Sequence, residues 1–111
     1  MLLGHRGSPN VARENTLPSF QAAIDAGLDG VELDVQRTLD GVLVVNHDFH
    51  LPDGRLIAAL NATEVEAAIL PMNGRIPRLE HVLEWAKSKN TFVNVEIKSS
   101  GLKTEIGRAH V

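Results

Sequence analysis

Two stretches of this chain alternate apolar and polar residues in the manner of β-strands. In "VELDV" at 31–35 the acids Glu32 and Asp34 alternate with valine and leucine, and "VNVEIKS" at 93–99 repeats the pattern. Because successive side chains of a strand point to opposite faces, each stretch predicts one apolar and one polar face. A single strand of this kind commonly has its polar face in water, whereas two such strands favour a shared role for the acids.

Elsewhere apolar residues recur at helical spacing. The series Leu17, Phe20 and Ile24 predicts a helix that is capped by Asn15 or Thr16 and ends at Gly27. The other predicted elements are strands at 1–4, 31–36, 42–45 and 91–99, and helices over 61–70 and from Pro77 onward. Strands that alternate with helices predict an α/β protein with a parallel sheet.

The second and third predicted strands pose a local conflict. Parallel strands are usually covered on both faces, so an acidic face on the second strand needs a partner. The turn signal Asp40–Gly41 taken alone predicts an antiparallel hairpin between the second and third strands. A parallel pair would need an extended crossover without a helix, which is less common.

Length and composition exclude several classes of protein. The 111 residues suit one small domain, and the formal charge of -3 gives no electrostatic footprint for nucleic acid. With one Trp, three Phe and no Tyr, a base-stacking surface is not expected either. The absence of Cys excludes disulfides and thiolate metal sites.

Membrane insertion and export are also not expected. No apolar run is long enough to span a bilayer, and "MLLGH" at the start is too short for a signal-peptide core. The sequence therefore predicts a cytoplasmic protein with no membrane span.

Polar residues with catalytic chemistry lie at the carboxyl ends of the four predicted strands. They are His5, Arg6, Glu32, Asp34, His47, Asp48, Glu96 and Lys98. In α/β barrels the active site forms at the carboxyl ends of the strands, so these side chains are expected to converge. Three converging carboxylates would repel one another unless a cation lay among them, and oxygen ligands favour a hard ion such as Mg²⁺ or Ca²⁺.

The neighbouring side chains complete a candidate catalytic site. A hard cation beside Arg6 and Lys98 suits a phosphate group, and two histidines, His5 and His47, suit proton transfer near neutral pH. Together the residue types indicate metal-assisted phosphoryl transfer with a histidine acid–base pair.

Simpler interpretations of the same residues stay open at this point. Arg6 could be a surface cation, and Glu96 with Lys98 could form an exposed ion pair of little energetic value. Asp48 could orient His47 or cap the following turn. None of these alternatives is separated by the sequence pattern alone.

Four segments in order carry a resemblance to a known family. "HRGSPNVARENTLPSF", "GVELDVQRTLDGVLVVNHD", "IPRLEHVLEWA" and "VNVEIKS" resemble the first half of a glycerophosphodiester phosphodiesterase, from about His5 to Ser99. The resemblance implies the N-terminal half of a TIM-type (β/α)₈ barrel, related to the phosphatidylinositol phospholipase C enzymes, with about four parallel strands and intervening helices. It implies metal-dependent hydrolysis of glycerophosphodiesters to glycerol 3-phosphate and an alcohol, with Mg²⁺ or Ca²⁺ as cofactor.

The same resemblance implies a role for each candidate residue. The metal ligands would be Glu32, Asp34 and Glu96. The acid–base pair would be His5 and His47, and the phosphate contacts would come from Arg6 and Lys98. Glu14 and Asn15 would lie in a loop that shapes the site. In this barrel the second and third strands are expected to lie parallel, joined by a short crossover.

The length of the chain limits this interpretation. A (β/α)₈ barrel needs about 250 residues, so residues 1–105 are expected to form a partial domain that lacks the C-terminal half of the barrel. The segment "IGRAHV" at 106–111 resembles the translation of a common sequencing-adapter oligonucleotide, and we expect it to be a non-native tail. The alternative is a genuine short protein with a coincidental ending.

Three functions follow from these expectations. The first is the enzyme, as the full-length parent acting on a small glycerophosphodiester. The second is a non-catalytic half-barrel module that binds metal or phosphate, and the third is an inactive truncated fragment. No nucleic-acid partner is expected in any of them.

Overall fold

Strands and helices alternate along the described part of the chain, as the sequence pattern predicts. The computed structural model describes residues 2–7 and 14–98, together with the backbone of 107–110. Its elements are β1 (Leu3–His5), α1 (Leu17–Asp25), β2 (Gly30–Arg37), β3 (Leu43–Val45), α2 (Ala62–Ala67), α3 (Leu79–Ser88), β4 (Phe92–Ile97) and β5 (Gly107–His110). Short 3₁₀ turns occupy Ile57–Ala59 and Pro71–Asn73.

Side-chain caps set the starts of two helices. The Thr16 hydroxyl accepts a hydrogen bond from the Ser19 N–H at the start of α1, so Thr16 is the cap of the two predicted candidates. At the start of α2, the Glu64 carboxylate accepts from the Asn61 N–H at 3.0 Å, and the Asn61 side chain completes a capping box. Local sequence therefore determines where both helices begin.

The predicted parallel sheet is confirmed for β1, β2 and β4. Strand β2 lies between the other two, with His5 opposite Glu32 on one side and Asp34 opposite Glu96 on the other. Because the three strands run in the same direction, their carboxyl ends meet along one edge of the sheet. That edge carries the acidic residues.

Strand β3 differs from the expectation. It pairs antiparallel with β2, from Val35 opposite Val45 to Arg37 opposite Leu43, so the expected parallel crossover is wrong. The physical reason is the connection at 38–42, which reverses the chain with Gly41 at φ 85° and a bond from the Thr38 N–H to the Val42 carbonyl. The local hairpin signal was the correct one.

The hydrophobic core lies on the face of the sheet opposite the acids. Helices α1 and α3 cover this face, with Phe20 and Val82 packed on Leu33 and Val95. A second hydrophobic cluster packs the segment 51–76 against Val44 of β3. Its buried members are Val44, Leu51, Ile57, Leu60, Val65, Leu70 and Ile76. The other face of β2 and β4 is left to the polar side chains.

The predicted non-native tail overlaps the last described element. The backbone of β5 pairs antiparallel with β4, with Arg108 opposite Glu96, whereas residues 106 and 111 lie outside the described residues. Along the described stretches, the helices are too short or too polar to cross a lipid bilayer.

Candidate metal and acid–base site

An acidic cluster forms where β2 and β4 run side by side. Glu32 and Asp34 project from the polar face of β2, and Glu96 projects from the adjacent position of β4. One oxygen from each of the three carboxylates lies within 4.8 Å of the others. Glu32 and Asp34 are 4% and 1% exposed. The structure thus brings together the three residues that the sequence put forward as metal ligands.

The donor set of this cluster fits a hard divalent cation. Carboxylates that are this close and this buried repel one another strongly unless positive charge lies among them. All three donors are oxygens, the ligands that Mg²⁺ and Ca²⁺ prefer over zinc. Glu32, Asp34 and Glu96 can therefore hold a divalent cation at the carboxyl ends of the strands.

Asp34 has two further partners. Arg6 places its Nε 3.2 Å from an Asp34 oxygen, and the Asn15 amide donates to the same oxygen at 2.9 Å. The Asn15 carbonyl in turn accepts from the Asp34 N–H at 3.3 Å. Arg6 also lies 3.5 Å from Glu14, so its guanidinium faces two acids in this arrangement. Its predicted contact with phosphate stays a prediction.

His5 stands beside the cluster at the end of β1. Its Nδ1 lies 3.5 Å from a Glu32 oxygen, and its side chain is 66% exposed. An exposed imidazole in this position can exchange protons with a substrate group in the solvent-facing site.

His47 and Lys98 belong to a second group at the same end of the sheet. Both line an open cavity of about 550 Å³, together with Asp48 and Phe49. The His47 Nδ1 lies 2.9 Å from an Asp48 oxygen. The Lys98 Nζ lies 6.0 Å from the centre of the Phe49 ring. Of the two roles left open for Asp48, this contact supports the one that orients His47.

Two site residues escaped the sequence analysis, Gln36 and Asn46. Gln36 is 1% exposed, and its Nε2 donates to the carbonyls of Asn46 at 2.8 Å and Asp48 at 2.7 Å. The Asn46 amide also donates to the Asp48 carbonyl at 2.9 Å. Gln36 continues the alternation of Glu32 and Asp34, and that signal could have identified it.

The chain has parallel strands with an acidic cluster at their carboxyl ends and helices on the opposite face. This arrangement is that of part of an α/β barrel with a candidate metal site. Comparison with known proteins identifies which barrel. The sequence model of the glycerophosphoryl diester phosphodiesterase family matches residues 5–109, and the chain belongs to this family. The predicted family is thereby confirmed.

Relatives of the chain agree with this assignment. It is 37% identical to a glycerophosphodiester phosphodiesterase of Caldanaerobacter subterraneus subsp. tengcongensis, over 89% of this chain and 45% of the relative. It is 34% identical to the uncharacterized protein YqiK of Bacillus subtilis, over 94% of this chain and 47% of that protein. The chain thus spans about half the length of the curated relatives it matches.

Solved structures give the same picture of the fold. A phosphodiesterase of Oleispira antarctica, in complex with its product sn-glycerol-3-phosphate, matches with a TM-score of 0.80 and 31% identity, over 87% of this chain and 44% of that one. A glycerophosphodiester phosphodiesterase of Thermotoga maritima matches with a TM-score of 0.76 and 39% identity, over 86% and 42%. The predicted half of a TIM-type barrel is confirmed.

Proposed function

We propose that this chain supplies the metal-binding and acid–base residues of a glycerophosphodiester phosphodiesterase, which forms glycerol 3-phosphate and an alcohol. The observation that carries the proposal is the cluster of Glu32, Asp34 and Glu96 with His5 at 3.5 Å from it. The product bound by the Oleispira antarctica relative supports the same class of substrate here.

The three carboxylates would hold Mg²⁺ or Ca²⁺. The chemistry that such an ion supplies when bound is polarisation of a non-bridging phosphate oxygen. The chain's own part is to keep the ligands in place, since Arg6 and Asn15 hold Asp34 from the side. Lys98, at the end of the adjacent strand, would add positive charge for the phosphate.

The two histidines would move the protons. One imidazole accepts the proton of the attacking hydroxyl group, and the other donates a proton to the leaving alkoxide. Each has a carboxylate near its Nδ1, Glu32 for His5 and Asp48 for His47, which can orient the ring. This arrangement serves either order of the two histidines.

A half-length match favours a second candidate. Because the chain spans about half of its relatives, it could act as a non-catalytic half barrel that binds metal or phosphate, or as an inactive truncated fragment. The first experiment is therefore to sequence the genomic DNA of the source across codon 105. We expect the reading frame to continue there with codons other than those of residues 106–111. The substitutions are tested in that intact gene product.

Substitution of one metal ligand tests the proposed function. The intact gene product with Mg²⁺ or Ca²⁺ should release glycerol 3-phosphate from glycerophosphocholine. Glu32→Gln keeps the shape of the side chain and removes its charge, so turnover should fall by at least about 100-fold. The matched control is Glu84→Gln on the exposed side of α3, which should keep the original rate.

The outcomes separate the candidates. A full rate in Glu32→Gln would reject the site assignment. For the 111-residue chain assayed alone, binding of Mg²⁺ or Ca²⁺ by calorimetry without any turnover would favour the non-catalytic half barrel. Neither binding nor turnover by this chain would favour the inactive fragment.

A further inference from the structure

We propose that Gln36 is a positioning residue that holds the backbone on both sides of His47 and thereby aims its imidazole at the site. The inference rests on the proposed function for its catalytic meaning, although its structural part can be tested separately. Nothing in the sequence pattern assigned a role to Gln36, which is one of the most deeply buried polar side chains of the described residues.

The geometry amounts to a clamp around one residue. Asn46 and Asp48 are the two neighbours of His47, and their carbonyls both accept from the single Nε2 of Gln36, at 2.8 and 2.7 Å. The Asn46 side chain donates to the Asp48 carbonyl as well, at 2.9 Å. With these carbonyls held, the 46–47 and 48–49 peptide units that bracket His47 and Asp48 have little freedom to rotate.

The orientation of the Gln36 amide is determined by its surroundings. The reversed amide would place Oε1 against two carbonyl oxygens, which repel it, so Nε2 must face them. The Oε1 atom is then buried and has no hydrogen-bond partner within the described stretches. A buried acceptor without a partner costs stability, and the two hydrogen bonds made by Nε2 act against that cost.

The clamp joins the two halves of the candidate site. Gln36 lies two residues beyond Asp34 on the same face of β2, about 7 Å along the strand. The strand that carries two of the proposed metal ligands therefore also fixes the loop that carries His47. Because one strand holds both parts, the His47 imidazole keeps a fixed position relative to the proposed metal ligands and the phosphate beside them.

The test replaces Gln36 with Met, which has a similar length and neither donor nor acceptor. We expect kcat for glycerophosphocholine to fall about 10- to 100-fold, with KM changed by less than about threefold, because misplacing a proton-transfer group affects the chemical step most. At one fixed pH, the imidazole ¹⁵N resonances of His47 should shift and broaden, while those of His5 stay in place.

A matched control separates positioning from general loss of stability. Thr38→Val removes hydrogen bonds at the turn end of the same hairpin, away from 46–48, and should lower the melting temperature without changing kcat or the His47 resonances. If Gln36→Met behaves like Thr38→Val, with only its melting temperature lowered, the proposal is overturned.

A milder variant covers the case in which Gln36→Met does not fold. Asn46→Ala removes one of the two side-chain donors to the Asp48 carbonyl and should move kcat and the His47 resonances in the same direction, by a smaller factor. Unchanged values in Asn46→Ala would then overturn the clamp. If the unmodified protein has no turnover but the His47 resonances respond, the proposed function fails and the clamp stands.

Discussion

The Asp34 carboxylate is held by a cation and by an amide. It is 1% exposed, and both Arg6 and Asn15 reach the same carboxylate oxygen. Arg6 and Asn15 have φ values of 57° and 56°, in the left-handed region that most residues avoid. The two positions are joined directly, since the Arg6 carbonyl accepts from the Asn15 N–H at 2.9 Å. A buried carboxylate is thus paired with both a charge and an amide.

Two substitutions at Asn15 separate its hydrogen bonds from its backbone conformation. Asn15→Gly removes the amide that bonds Asp34 and should lower the free energy of unfolding by about 1–3 kcal/mol. Asn15→Ala loses the same bonds but keeps a Cβ in the left-handed region, so it should be less stable than Asn15→Gly by about 1 kcal/mol. Urea unfolding of the intact gene product measures both. Equal stability of the two variants would contradict the strain argument.

The individual site residues were predicted to different extents. Glu32, Asp34 and Glu96 could be grouped in advance because alternation places them on one face of strands that run in parallel. The pairing of Arg6 with Asp34 could not be predicted in the same way, since no periodicity relates positions that far apart in the sequence. For Gln36 the alternation gave the face, but its partners depend on the hairpin that brings 46–48 back beside β2.

The β2–β3 hairpin is tied to α2 through one carboxylate in its turn. Asp40 accepts from the Thr38 hydroxyl and from the Ala62 N–H, the first residue of α2. These bonds, that from Thr38 above all, lower the pKa of Asp40 below the ordinary carboxyl value of 3.8, with a further contribution from Arg78. Asp40 thereby links the turn of the hairpin to α2, the helix that contributes Val65 to the second hydrophobic cluster.

This lowered pKa predicts a specific dependence of stability on pH. A carboxyl group with a lower pKa in the folded state stabilises it fully above the unfolded pKa of about 3.8, and this contribution is lost as pH falls through the lower folded value. Asp40→Asn lacks the contribution. The difference in unfolding free energy between the two proteins should therefore be constant near pH 6 and shrink below about pH 3.8.

Urea unfolding at several pH values measures that difference. The lowered pKa of Asp53, which comes mainly from the Arg55 N–H, is present in both proteins and cancels. A difference between the original protein and Asp40→Asn that stays constant down to about pH 2 would contradict the prediction.

The whole molecule is organised by the two faces of its sheet. One face packs on α1 and α3, where Phe20 is fully buried with its ring centre 6.1 Å from that of Trp85. The other face collects the carboxylates and amides that build the site. The core holds the sheet against the helices, and the register of β2 on β4 sets the spacing of the acidic cluster.

Substitution in the core should therefore reduce stability throughout the molecule. Phe20→Ala removes a fully buried ring and should lower the free energy of unfolding of the intact gene product by about 3–5 kcal/mol. Leu39→Ala, at a side chain that is 66% exposed, should change it by less than about 0.5 kcal/mol. Denaturant titration compares the two, and equal effects would argue against this assignment of the core.

Local patterns in the chain were enough for β1 to β4 and the three helices, for the helix caps, for the parallel direction of β1, β2 and β4, and for the list of candidate ligands. These features depend on interactions between residues that are close in sequence, or on a periodicity that repeats along one strand. The folded structure alone decided that β3 turns back on β2, that Arg6 faces Asp34, and that Gln36 holds the backbone around His47. Each of these depends on hydrogen bonds or charges between segments that come together only when the sheet forms, and such contacts leave no period in the sequence.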